Sequence, residues 1–367
     1  MKGPSDDACG GSRHATTTGS PLDAKPGLAA MLRWEIPKDR VKFAVLCLLL
    51  IGAVYTFLCW MPAESPVQLP PPDETVKWGD YSDELGKVLT EAATEDKYVV
   101  VTVLNKAYVE GDKPMLDIFL DALWLGEGTH RLVKHLLVVV LDSTSMERCR
   151  FLRLHCYHLE IEGGGSLEGE KLFLSEDFLR IMWRRILLLR DILARGYSLV
   201  FTDTDVLWLR DPFPKFDPNP RVDFQISADR FKGNPWSVKN PINAGFYMVR
   251  SNNRTVALFQ EWHNQRNRTV GTSLHEQDML VQMLRGGVFG RLGVKFRILD
   301  TTRFSSFCQN SKDVKQVATV HANCCKTIRA KVTDLTKAIA DWKRFKSNPN
   351  ERFSWSRHEA CEESWHR

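Results

Sequence analysis

Two aspartates separated by one residue, Asp203-Thr204-Asp205, stand directly after the apolar run Tyr197 to Phe201 and before Val206-Leu207-Trp208. Carboxylate oxygens are hard ligands. At this spacing along extended chain, two of them point to the same side and can reach one cation. A divalent ion with few protein ligands keeps positions open for phosphate oxygens, as Mg²⁺ and Mn²⁺ commonly do. Acting as a Lewis acid, it can neutralise a diphosphate as that group departs.

Other residue groups carry usable side chains. Asn243-Ala244-Gly245-Phe246 begins a strand; Gly245 lets backbone approach a ligand, and the Asn243 amide offers donor and acceptor to hydroxyls. The plain alternative is a turn into a strand. His275-Glu276-Gln277-Asp278 opens a helix, where acidic residues either cap the first turn or project into a cleft. His321-Ala322-Asn323-Cys324-Cys325 follows a short apolar run. Adjacent cysteines suit one tetrahedral zinc poorly, so disulfides are the expected use. His321 is either a core histidine or a third ligand for the ion on the aspartate pair. Arg180, Arg184, Arg185 and Arg190 share the helix before that pair. A basic face is ordinarily solvated, but Arg184 or Arg185 could reach an anionic or hydroxyl-rich ligand.

These groups need a scaffold. Lys97 to Asn105, His135 to Asp142 and Tyr197 to Phe201 are strand-like apolar runs, the second apolar throughout as in a strand buried on both faces. Helical patterns start at Pro114 and at Ser175, the latter running to about Arg195 with Gly196 as its C-terminal stop. Strands follow near Asp223 to Ser227, Phe246 to Arg250 and Val294 to Leu299, with helices near Thr255 to Arg266, His275 to Arg285 and Lys331 to Phe345. Alternating strands and helices predict an α/β fold with a mostly parallel sheet flanked by helices. Ligands bind such sheets outside the carboxyl ends of the strands, where the aspartate pair lies.

The chain has 367 residues, 43% hydrophobic and 26% charged, with a net charge of +5. That is a folded protein with a large core, and no dedicated Lys/Arg stripe argues for nucleic acid. Phe43 to Met61 carries no formal charge and has the length of a single membrane span, Lys38, Arg40 and Lys42 flanking its start. The expected organisation is a disordered cytosolic tail over 1–42, a signal anchor over 43–61 and a Pro-rich stem over 62–95. A lumenal catalytic body over 96–348 and a C-terminal tail over 349–367 follow. Six cysteines lie on the lumenal side, Cys149, Cys156, Cys308, Cys324, Cys325 and Cys361, an even set that suits disulfides with the pairing open. Asn253 and Asn267 begin N-glycosylation sequons, usable only in the secretory pathway.

In order along the chain, VTVLNKAYVE, HLLVVVLD, MWRRI, LVFTDTDVLWLRDPFP, FQISAD, NAGFYMVRSNNRT, HEQDML, HANCC and DWKRF resemble the plant-type nucleotide-diphospho-sugar transferases, the family 77 glycosyltransferases. The resemblance covers about Val101 to Phe345. It implies a GT-A, Rossmann-type fold and a single-pass type II protein of the Golgi membrane with its catalytic domain in the lumen. The implied activity is transfer from a nucleotide sugar, with UDP as the expected nucleotide, to a cell-wall polysaccharide or glycoprotein acceptor with retained configuration. It also implies that Asp203, Asp205 and His321 hold Mn²⁺ (or Mg²⁺). Asn105, Arg184, Arg185, Asn243, Ala244, Gly245, Lys326 and Lys331 would bind the donor, and Glu276, Gln277 and Asp278 would lie by the anomeric carbon. Glu276 stands where similar retaining enzymes carry Asp. Two alternatives accompany this expectation: a haloacid-dehalogenase-like phosphatase using Asp203 as nucleophile, whose motif usually opens its domain, and a non-catalytic lumenal nucleotide-sugar-binding protein.

Overall fold

The computed structural model describes residues 38–60, 82–161, 168–171 and 174–366. The chain divides into two units, Met1–Gln68 and Leu69–Arg367. In the first, α1 spans Lys38–Trp60; the side chains of 57–60 and of several earlier positions are not described. Among the described residues no helix is long and apolar enough to cross a membrane, so the anchor expected over 43–61 rests on the sequence alone. Residues 1–37 of the expected tail and 61–81 of the anchor's end and stem lie outside the described residues.

The second unit contains strands β1 (Tyr98–Leu104), β2 (Leu136–Val140), β3 (His155–His158), β4 (Ser198–Thr202), β5 (Val206–Trp208), β6 (Phe224–Ala228), β7 (Ile242–Val249), β8 (Phe296–Ile298), β9 (Phe304–Ser306) and β10 (Thr319–His321). Its helices are α2 (Glu84–Ala92), α3 (Met115–Leu125), α4 (Ser143–Phe151), α5 (Glu176–Ala194), α6 (Asn253–Asn264), α7 (Glu276–Arg285), α8 (Val288–Arg291), α9 (Ile328–Ser347) and α10 (Glu359–Glu363). The main sheet runs β3-β2-β1-β4-β7-β6-β8, and a small sheet runs β5-β10-β9. All pairings in the main sheet are parallel except those of β7, which is antiparallel to β4 and β6.

Continuous apolar strands make this arrangement because both faces must be covered. In β1, Val99 and Val101 pack with Ile186, Leu189 and Leu193 of α5 on one face. Val100 and Leu104 pack with Leu116 and Phe119 of α3 on the other. Each such fully buried side chain contributes roughly 1.5–3 kcal/mol relative to exposure. Ser175 caps α5 by accepting a hydrogen bond from the Phe178 N–H at 3.2 Å. Past its end, Gly196 takes φ +85°, a left-handed stop that glycine adopts at little cost.

Two boundaries move. Part of the expected stem is α2, whose Leu85, Leu89 and Ala92 are buried in the main core, so the body begins before residue 96. Part of the expected C-terminal tail is α10, held by a disulfide from its buried Cys361 to Cys325.

Candidate active site

The aspartate pair is the hinge between the two sheets. β4 belongs to the main sheet and β5 to the small one, so Asp203, Thr204 and Asp205 form the turn that joins them. The Val206 N–H donates back to the Asp203 carbonyl at 3.3 Å. The segment is therefore a turn and not the extended chain expected from spacing, yet the carboxylates still converge. Because β7 runs antiparallel to β4, its first residues lie at the carboxyl end of β4; the Asp203 N–H donates to the Gly245 carbonyl at 2.7 Å. Pairing of β10 with β5 sets His321 opposite Val206, and the Ala322 N–H donates to the Asp205 carbonyl at 3.1 Å.

One ligand atom from each of Asp203, Asp205 and His321 falls within 4.8 Å of the others. Two carboxylates and an imidazole are a donor set that Mn²⁺ or Mg²⁺ accepts. Among the described residues, His321 Nδ1 is buried and has no hydrogen-bond partner. Gly245 keeps the space open: a Cβ there would stand 2.4 Å from His321 Cε1 and 2.6 Å from Asp203 Oδ2. The residues fit a divalent cation.

Charge is balanced around them. Lys331 Nζ lies 2.8 Å from Asp205 Oδ2, and His321 Nε2 lies 3.3 Å from Oδ1. Burial works against the Asp205 carboxylate, but Lys331 and His321 hold it below the usual carboxylate range. Burial raises the Asp203 carboxyl, with Arg185 opposing and the Asp205 charge adding to the rise. For His321, burial lowers the imidazole, but contact with Asp205 outweighs it and raises the net value. Arg185, 4% exposed in its side chain, lies 3.4 Å from Asp203 and 3.0 Å from Glu276, with its guanidinium 4.6 Å from the Phe201 ring centroid.

The expected residues are sorted unevenly. Gln277 Oε1 accepts from the Ala244 N–H at 2.8 Å, which ties α7 to β7 at the cleft, and within β7 Asn243 Oδ1 accepts from the Gly245 N–H at 2.8 Å. Asn105, Lys326 and Lys331 line that cleft. Asn105 Nδ2 donates to the Gly169 carbonyl at 2.9 Å. Glu276 borders the cleft beside Gln277, buried with its carboxylate against Arg185. Asp278 lies outside the cleft lining and accepts from the His275 N–H at 3.0 Å, the helix-cap use of such a residue. Arg184 also lies outside it, donating to the Glu160 carbonyl at 3.2 Å.

Tyr108, Asn323 and Trp365 also border the cleft. Tyr108 and Asn323 fall within the quoted phrases but carry no pattern that marks them. Trp365 sits in the expected C-terminal tail; its indole N–H donates to the Cys324 carbonyl at 3.3 Å and its ring lies 4.7 Å from Lys326 Nζ. Beside the cleft, Asp229 accepts from Nδ2 of both Asn243 and Asn323, at 2.9 and 2.6 Å. The six body cysteines pair as Cys149–Cys156, Cys308–Cys324 and Cys325–Cys361. Of the sequon asparagines, Asn267 is exposed and Asn253, the first residue of α6, is half-buried.

The profile of the nucleotide-diphospho-sugar transferase family matches residues 131–335, which hold the aspartate pair, the Asn243 strand, α7, His321 and Lys331. The chain belongs to that family. This transferase is 49% identical over 287 residues to an uncharacterized protein of Arabidopsis thaliana, covering 77% of this chain and 84% of that one. Over 190 residues it is 24% identical to a beta-arabinofuranosyltransferase of the same plant, covering 52% of this chain and 34% of the relative. A solved galactosyltransferase with bound donor and acceptor sugar analogs is 15% identical, with a TM-score of 0.38, covering 65% of this chain and 95% of the other. By family, the transferase is a glycosyltransferase.

Proposed function

We propose that this transferase moves a sugar from a UDP-sugar to a cell-wall polysaccharide or glycoprotein acceptor, with retained anomeric configuration, using Mn²⁺ or Mg²⁺ in a GT-A arrangement. The observation that carries the reading is the convergence of Asp203, Asp205 and His321 at the carboxyl end of β4. When bound there, the ion supplies Lewis-acid neutralisation of the departing diphosphate. The chain's own residues do the rest. Lys326 and Lys331 add positive charge on the diphosphate side. The Asn243–Gly245 backbone, fixed by the Gln277 side chain, forms a rigid wall for the sugar. Preorganised charge of this kind needs no rearrangement as negative charge develops.

The named arabinofuranosyl transfer of the more distant relative supports a pentose donor. The apolar Phe43 to Met61 segment, the flanking basic residues and the three disulfides support a type II anchor with the body in the Golgi lumen. The phosphatase alternative has no support in the family match.

The test is a panel of UDP-sugars, pentoses and galactose included, offered to the purified protein with and without Mn²⁺. Metal-dependent release of UDP from one of them is the expected result. Failure of every donor in the presence of Mn²⁺ contradicts the proposal.

A further inference from the structure

Lys331 stands in the first turn of α9, and its ammonium lies 2.8 Å from Asp205 Oδ2. The Asp205 side chain is 4% exposed, so its charge is answered from within the protein, by Lys331 and by His321 at 3.3 Å. Tyr108 borders the same cleft. A divalent ion seated on Asp203, Asp205 and His321 would approach the same carboxylate, to about 2.0–2.1 Å for Mg²⁺. Ion and ammonium would then stand within a few ångströms of each other, where like charges repel strongly because little water screens them. They cannot both rest on Asp205 undisturbed. A lysine stem has four flexible carbons, so the ammonium can swing away without moving the helix. A diphosphate beside the ion offers it a new anion.

We infer that Lys331 is a resident counter-ion that competes with the divalent cation for Asp205 and passes to the diphosphate when the nucleotide arrives, so that cation and nucleoside diphosphate bind with positive coupling. The inference rests on the metal-dependent reading above. Cation affinity is held low until a diphosphate relieves Lys331, and by linkage the cation raises diphosphate affinity by the same factor.

The experiment titrates Mn²⁺ into the full chain, following free Mn²⁺ by electron paramagnetic resonance, with and without UDP. In the wild-type protein UDP should tighten Mn²⁺ binding within the usual coupling range of about 5- to 150-fold. Lys331→Met should bind Mn²⁺ alone about tenfold more tightly than wild type, and its coupling to UDP should fall by that same factor, the remainder coming from direct contact between ion and diphosphate. Lys331→Arg, which keeps the charge, should keep the weak binding of Mn²⁺ alone. Equal or weaker Mn²⁺ affinity in Lys331→Met, or unchanged coupling, overturns the inference while leaving the metal site standing. A wild-type protein that takes up no Mn²⁺ with or without UDP, or Mn²⁺ binding untouched by Asp205→Asn, overturns the metal reading and the inference together. Lys331→Gln replaces Lys331→Met should the latter melt early.

Discussion

Arg185 and Glu276 form a buried ion pair, Nη2 to Oε1 3.0 Å, with side chains only 4% and 5% exposed. The same guanidinium also faces Asp203, so one cation steadies both a candidate metal ligand and the start of α7. Removing one member of a buried pair leaves the other charge uncompensated. Arg185→Met should therefore cost about 3–5 kcal/mol of stability. Arg185→Met combined with Glu276→Gln should cost clearly less than the sum of the two single changes. Urea unfolding of the three variants measures this; additive losses would show that the pair is not coupled.

Gly245→Ala places a methyl group against His321 and Asp203. Because the obstruction falls on ligand positions, Mn²⁺ affinity should drop about 10- to 100-fold, the range seen when ligand support is disturbed. Calorimetric titration with Mn²⁺ reads the effect directly, and wild-type affinity would mean the close approach is irrelevant to the metal.

His358 gives the molecule a pH dependence away from the cleft. Its Nε2 accepts from Asn310 Nδ2 at 2.7 Å and its ring stacks on Phe307 at 3.5 Å. Burial lowers its pKa, against the pull of Asp334, Glu362 and Asp341. The unfolded imidazole titrates near about 6.5 and so takes up protons before the folded one does. This contribution to stability is complete above that pH and is lost as pH falls below it. Melting temperatures from pH 8 to pH 5 should fall more steeply for wild type than for His358→Gln; parallel curves contradict the assignment.

The Cys325–Cys361 bridge ties α10 to the segment carrying Lys326, whose N–H donates to Ser364 Oγ at 3.0 Å. Replacing both cysteines with serine should cost about 2–4 kcal/mol. Donor KM should also rise, because Lys326 and Trp365 lose their fixed placement at the cleft. Thermal melts and donor saturation curves check the two parts, and an unchanged KM would separate the bridge from the site.

Much of this arrangement is legible in the amino-acid sequence wherever the signal is local. β1, β2 and β4 announce themselves as apolar runs, and α5 by Ser175 and Gly196, because those residues act within one turn or one strand. The candidate metal-ligand set is legible through Asp203 and Asp205, with His321 open between core and ligand. Its placement depends on the pairing of β10 with β5, which no local pattern encodes. Asp278 and Arg184, both outside the cleft lining, illustrate the limit. Acidic residues at a helix start and arginines one position apart look alike in sequence, and only packing turns Arg185 inward while Arg184 faces Glu160. The small sheet, the packed α2, the disulfide partners and Trp365 all depend on contacts between distant segments, so composition and periodicity do not mark them.

The central claim is that the carboxylates of Asp203 and Asp205 hold the ion on which the diphosphate leaves. The most direct measurement is Mn²⁺-dependent UDP release from the accepted donor by folded Asp203→Asn and Asp205→Asn variants, compared with wild type. Each change should lower the rate by about a hundredfold or more, since a Lewis acid supplies several kcal/mol to such a step. Wild-type rates from both variants would contradict the account.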